Sequence, residues 1–524
     1  MKLDFETYKD KMAGCWMGKN IGGVLGAPFE GKRGVFDVDF YVQELKGHPP
    51  ANDDLDLQLV WLNAVEEYGN AINASILGEY WLSFIIPNWV EYGSAKNNLR
   101  MGIVPPLSGY LENTYRDSCG CFIRSELWAC IAPGNPQIAA KYAYEDAIVD
   151  HSSEGMHAEV FCAAMQSAAF VEKDVYQLIE IGLSYIPKDS GVTNAVRVAI
   201  QAYRDGVDFK EARIRVLEAE QGSFGVQNCR LEKIPTDLPP GKPGYDAPGN
   251  IGIMIIGLLY GENDFGKSIC IANNCGEDTD CTCATLGALL GIINGRQAIP
   301  QKWVEPIGDY ISTCCINRLE GGVQIPNTVT ELTNRVLNLT PRFLKKGVCD
   351  FSDWKNGYSI EVQQGNDLFC AGDQLYIEGI SYSAVLEKGV SDFYSWGHHG
   401  VNYKFPSFEA TLDYKDHPYV ALNQPKKMRL NIKDSNKKLG DHNQKWVTVK
   451  WYTPDGVQVS PNNECCAFIQ TLYKSEVNID FEVLCEKSQG GKVEFIIDIS
   501  VNGRHSNGQI KVVLIVQANK FDAQ

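Results

Sequence analysis

The chain has 524 residues and a formal net charge of −17, and it lacks the clustered Lys and Arg that grip a phosphate backbone, so nucleic acid and membrane are not expected as partners. With 44% hydrophobic and 22% charged residues it reads as an ordinary globular protein, long enough for two or three domains. The opening residues lack the apolar core of a signal peptide and no run approaches a membrane span; the seventeen cysteines, odd in number and with adjacent pairs, fit a reducing cytoplasm better than a disulfide framework.

Up to about residue 340 the apolar spacing is mostly helical, which predicts an all-α bundle over 1–340. Residues 14–31, GCWMGKNIGGVLGAPFEG, read as a Gly-rich turn in which Gly26 and Pro28 hold the Glu30 carboxylate rigidly, an exposed turn residue being the plain alternative. Asp37 and Asp39 alternate with apolar neighbours as the solvent face of a strand does. ANDDLDLQLVW then sets Asp53, Asp54 and Asp56 at the start of a helix. A further helical pattern over 146–173 contains His151 and His157, six apart, which is not a helical metal-pair spacing.

Residues 273–296, NNCGEDTDCTCATLGALLGIINGR, collect Glu277, Asp278 and Asp280 ahead of a helix expected to start at Asp280 or Cys281. Ala284, Gly287, Ala288, Gly291 and Gly295 form a stripe of small residues along it that would let another helix approach closely. Two half-motifs for zinc, Cys119-x-Cys121 and Cys281-x-Cys283, each lack a second half, so a structural zinc site is not expected.

The junction is expected within 338–357, with a second domain over 345–524. There the period changes to two: Val477, Ile479, Phe481 and Val483 share one face, as do Val493, Phe495, Ile497 and Ile499. Turn signals at Pro454-Asp455-Gly456, Gly490-Gly491 and Asn502-Gly503 punctuate these runs, which predicts a β-sandwich. His398 and His399 sit among aromatic residues and are read as a loop packing on the helical domain, a sugar-binding edge being the alternative.

One Asp at a helix start is an ordinary N-cap. Two clusters of carboxylates exceed that need and repel at close range, so a hard divalent cation is their natural counterion if the fold brings them together.

The N-terminal part resembles the ADP-ribosylglycohydrolase family in four stretches taken in order: 14–31, 52–62, 120–136 with 150–165, and 273–295. The resemblance implies an all-α bundle with two Mg2+ ions, held by Asp53 and Asp54 from one side and by Asp278 and Asp280 from the other. It also implies that Glu30 moves between the metal and the scissile bond, and that His151 lines the substrate cleft. Where most members carry hydroxyl ligands this chain has Asn52, whose amide oxygen can still ligate, and Cys281, a soft ligand poorly matched to magnesium. Glu277 and Asp56 are then spare carboxylates toward metal or substrate, and SCGCFIRSELW (118–128) replaces the Gly-Asn-Gly-type turn many members use.

The acidic clusters and the resemblance together imply a metal-dependent glycohydrolase acting at the anomeric carbon of a ribosyl or related sugar, with Glu30 and Asp54 catalytic and a small-molecule or glycosyl substrate. A glycosidase acting on a glycan through the same site, and a non-catalytic protein on a decayed hydrolase fold, are the alternatives. Nothing in the sequence bears on the oligomeric state.

Overall fold

The computed structural model describes residues 1–220, 244–318, 322–344, 348–352, 354–370, 400–405, 407–434, 444–470, 475–488, 491–503 and 507–516. The chain divides into two compact units, Met1–Lys96 with Pro105–Glu378, and Asn97–Val104 with Gly379–Gln524.

The first unit is helical and is organised around two antiparallel helices, Phe5–Gly26 and Thr279–Asn294. Glycines at every fourth position of the first, Gly14, Gly18, Gly22 and Gly26, lie against the backbone of Gly291, Gly287, Cys283 and Thr279. A methyl group at Gly14, Gly18, Gly287 or Gly291 would overlap a carbonyl oxygen of the facing helix. Rows of residues four apart form the ridges by which helices pack, and with glycine in those rows the two backbones meet directly. The small-residue stripe expected over 284–295 therefore faces a second such stripe on the first helix. That second stripe, residues 14–26, is helix and not a Gly-rich turn; the turn proper is the single 3₁₀ turn Ala27–Phe29, where Pro28 prevents the helix from continuing.

The backbone around Asp37 and Asp39, with both side chains exposed, belongs to no sheet. Val38 exchanges its N–H and C=O with the side-chain amide of Asn274 (2.8 and 3.0 Å), which takes the place of a neighbouring strand. Residues 338–357, where the junction was expected, hold the end of the helix Val329–Phe343 and the strand Cys349–Asp350. That strand pairs with Ser359–Glu361, which pairs in turn with Lys2–Leu3 at the N-terminus.

The second unit contains two five-stranded sheets. One runs Glu464–Gln470, Gln444–Tyr452, Lys492–Val501, Asn507–Val516, Tyr419–Val420; the other Gly400–Lys404, Phe408–Asp413, Pro425–Asp434, Glu476–Cys485, Val457–Ser460. All these pairings are antiparallel except that of the last two strands of the first sheet. Alternation sorts the faces as expected, with Phe481 and Val483 buried on one sheet and Val493, Phe495, Ile497 and Ile499 on the other. Trp451 meets Phe481 at 5.3 Å between ring centres, joining the two inner faces of a β-sandwich. His398 and His399 lie outside the described residues.

Candidate functional site

Three backbone devices bring the acidic segments together. The loop after Gly26 runs antiparallel to residues 274–277, with Gly31 N–H donating to Glu277 O (3.0 Å) and Glu277 N–H to Lys32 O (3.1 Å). Gly276 and Glu277 both take left-handed conformations (φ 73° and 70°), which turns the chain into the helix beginning at Thr279. Asn52 caps the helix Asp53–Tyr68 by accepting from Asp54 N–H (2.7 Å), and its Nδ2 donates to Asp280 Oδ2 (3.1 Å).

Carboxylate oxygens of Glu30, Asp278 and Asp280 consequently lie within 4.8 Å of one another, as do ligand atoms of Asp54, Asp280 and Cys281. Asp54, Asp278 and Asp280 are 2%, 4% and 3% exposed, whereas Glu30 is exposed at the rim. Asp53 is half-buried and accepts from Tyr92 Oη at 3.3 Å.

Such crowding is costly, since two like charges 4 Å apart repel by about 4 kcal/mol at an effective dielectric constant of 20. Protonation relieves it when no cation is present. The Asp280 charge, then burial, pushes Glu30 up to about 8. Burial, then Asp280, lifts Asp53 to about 6 and carries Asp54 well above the usual carboxylate range. Burial, followed by Cys119 and Asp280, does the same to Asp278. Beneath Asp54, the buried Lys19 donates to Glu126 (3.2 Å) and Thr285 (3.3 Å). Burial pulls its pKa down, but Glu126 and Asp54 outweigh that and hold it above its ordinary value.

Whether these residues fit a divalent cation is decided by their unmet oxygens. Both carboxylate oxygens of Asp54, and Oδ1 of Asp280, are buried without a hydrogen-bond partner. Orphaned buried acceptors are rare and cost about 1–3 kcal/mol each, so oxygens converging from two segments fit a hard cation. A second hard cation fits poorly. The surroundings of Asp278 away from Glu30 are sulfur: Cys119, Asp278 and Cys281 offer ligand atoms within 4.8 Å of one another, and all three are buried.

The other expected participants are placed differently. The Asn52 carbonyl oxygen serves as the helix cap instead of a free ligand. Glu277 is enclosed by Arg33 (2.8 and 2.9 Å), Arg213 (3.0 Å) and Gly244 N–H (2.5 Å), so its carboxylate is already engaged by two guanidinium groups. Asp56 holds the loop beyond it, its Oδ2 accepting from Cys314 N–H (2.7 Å) and Cys315 N–H (2.6 Å).

His151 does not line the cleft. It is fully buried, with Nε2 against Ser118 Oγ (2.7 Å) and Nδ1 against Asp150 (3.0 Å). Burial, against the pull of Asp150, keeps it below its usual pKa and so neutral. Ser118, by a hydrogen bond, and Asp150, by a 3.0 Å contact, thus flank the His151 ring in a polar chain that sequence alone does not reveal. All three are buried and Asp150 is engaged by Arg124 at 2.7 Å, so the chain anchors the loop carrying Cys119 and does not present a nucleophile. Sequence reading also missed Lys19, and it named Cys119 only within a zinc half-motif that it set aside. A lysine between Gly18 and Gly22 on a buried helix was a usable signal for the first.

Residues 4–340 match the family model of the ADP-ribosylglycohydrolases. Among solved structures the chain is similar to an ADP-ribosylglycohydrolase-related protein complex, at 18% identity and a TM-score of 0.43 over 65% of this chain and 100% of that one. No curated protein matches. With well over half its length matched, the chain belongs to the ADP-ribosylglycohydrolase family.

Proposed function

We propose that the chain is a metal-dependent glycohydrolase that cleaves an O- or N-glycosidic bond at the anomeric carbon of a ribosyl or related sugar, in the manner of an ADP-ribosylglycohydrolase. Asp54 supports this reading most directly: a 2% exposed carboxylate with neither oxygen satisfied, facing Asp280, is a ligand poised for a cation.

Asp53, Asp54 and Asp280, with Glu30 and Asp278 alongside, would hold Mg2+ or a similar divalent ion. When bound, that ion supplies Lewis acidity toward vicinal sugar hydroxyls and acidifies water. The chain contributes the rest. Bond cleavage builds positive charge at the anomeric carbon, which the surrounding carboxylates stabilise. Glu30 is the group with freedom to move, since it is exposed at the rim and follows the 3₁₀ turn Ala27–Phe29. It delivers a proton to the leaving group or aligns the attacking water. Asp54 and Asp280 stay fixed, one in the first turn of its helix and the other tied to Asn52.

The test is hydrolysis of ADP-ribose derivatives against aryl furanosides and pyranosides. Turnover of a ribosyl substrate should fall roughly a hundredfold or more on chelation and in Asp54→Ala or Asp280→Ala, the several kcal/mol of charge stabilisation that a metal supplies. Undiminished turnover under either condition removes the proposal.

A further inference from the structure

We infer that Cys119, Asp278 and Cys281 form a mixed sulfur–oxygen site for a thiophilic divalent cation of the zinc class, in the position where a second hard cation would otherwise sit. This rests on the proposed function only in sharing the carboxylates Asp278 and Asp54.

The two zinc half-motifs meet in space, each giving one thiol. Cys119 comes from the loop before the 3₁₀ turn Phe122–Arg124, and Cys281 from the first turn of the helix Thr279–Asn294. Cys119 is 2% and Cys281 7% exposed, and the Cys119 thiol donates to Asp278 Oδ2. The second cysteine of each half is used elsewhere: Cys121 donates to Glu159 Oε2 (3.0 Å) and Cys283 to Ile269 O (3.3 Å). Metal–sulfur bonds of about 2.3 Å in tetrahedral geometry place ligand atoms about 3.5–4 Å apart, compatible with donor atoms gathered within 4.8 Å.

A second observation points to a ligand here. A ligand atom of Asp54 also lies within 4.8 Å of that of Cys281, and both buried Asp54 oxygens lack a hydrogen-bond partner, so a further donor stands beside the Cys281 thiol. The loop bearing Cys119 is rigidly held besides. Ser118 binds His151 (2.7 Å), Cys119 N–H donates to Tyr245 O (2.8 Å), and Gly120 O accepts from Arg124 (2.9 Å). A preset arrangement of soft donors favours zinc over magnesium, because thiolate sulfur selects softer ions.

The decisive probe is Co2+ added to the metal-free, reduced full-length chain. The site predicts a near-ultraviolet thiolate-to-cobalt charge-transfer absorption and strong tetrahedral visible bands, displaced by Zn2+ and not by Mg2+. Cys119→Ser and Cys281→Ser should abolish the charge-transfer absorption and weaken Zn2+ binding by on the order of a hundredfold or more, since loss of a ligand exceeds loss of an outer partner. Cys121→Ser and Cys283→Ser should leave it unchanged. Cobalt bound without a thiolate band overturns the inference while leaving an oxygen-ligated hydrolase intact, and so do bands that persist in both Cys119→Ser and Cys281→Ser. Absence of any bound cobalt, zinc or magnesium overturns both.

Discussion

Asn52 Nδ2 donates to Asp280 Oδ2 over 3.1 Å, tying together two segments 228 residues apart in the chain. The same side chain caps a helix through its carbonyl oxygen, so a single amide sets both the entry of the Asp53–Tyr68 helix and the orientation of Asp280. The two functions separate by substitution. Asn52→Ala should cost about 1 kcal/mol of stability, the usual loss for a cap, and Asn52→Ser should recover most of it. Serine lacks the amide nitrogen that donates to Asp280, so the divalent-ion affinity of the Ser variant should still differ from that of the parent. Chemical denaturation and calorimetric ion titration read the two effects.

Gly18→Ala and Gly287→Ala test the close approach of the two central helices. Alanine favours an isolated helix over glycine by about 1 kcal/mol. Here each methyl would overlap the carbonyl oxygen of the other position's glycine, so both variants should instead be destabilised, by about 1–3 kcal/mol as overpacked cores are. A higher denaturation midpoint for either variant would show that the backbones do not touch.

Glu277→Gln tests whether that residue is structural. Arg213 is fully buried against it, and removing one member of a buried pair typically costs about 3–5 kcal/mol. The variant should lose stability of that order while its affinity for divalent ions, measured below its unfolding transition, stays within twofold or so of the parent, as expected for a group outside the ligand set. A large drop in ion affinity with unchanged stability would return Glu277 to the metal centre.

The legibility of this chain in its sequence depends on which interactions are local. Runs of Asp ahead of apolar periodicity marked both acidic clusters, because a helix start declares itself within a few residues. The β-strands of the second unit were equally clear, since Val493, Phe495, Ile497 and Ile499 alternate without interruption. Glycines 14 to 26 were misread because glycine more often marks turns, and its role as a contact ridge depends on a partner helix more than 250 residues away. Glu277 and Asp278 are adjacent and chemically alike, yet one faces two arginines and the other two cysteines; the left-handed backbone of Glu277 itself turns their side chains apart, and spacing cannot show that. Cys119 stood in the sequence only within an incomplete half-motif, because Asp278, which it meets in the fold, lies 159 residues away.

His151→Phe addresses the anchoring chain behind the site. Phenylalanine fills the fully buried space but leaves Ser118 Oγ without this partner and Asp150 without one of its two. Stability should fall by about 1–3 kcal/mol, the cost of leaving buried polar groups unmet. If His151 acted directly on substrate, KM would instead rise with stability preserved.

The central claim, that carboxylates from opposite ends of the helical unit close around a shared cation, is tested most directly by melting the parent chain and Asp54→Asn with and without Mg2+ or Mn2+. Without the ion the variant should be the more stable, because a buried like-charge conflict has been removed. With the ion at about one hundred times its dissociation constant, the parent should gain about 2.7 kcal/mol and the variant little. Equal shifts for both proteins, or none for the parent, would contradict the account.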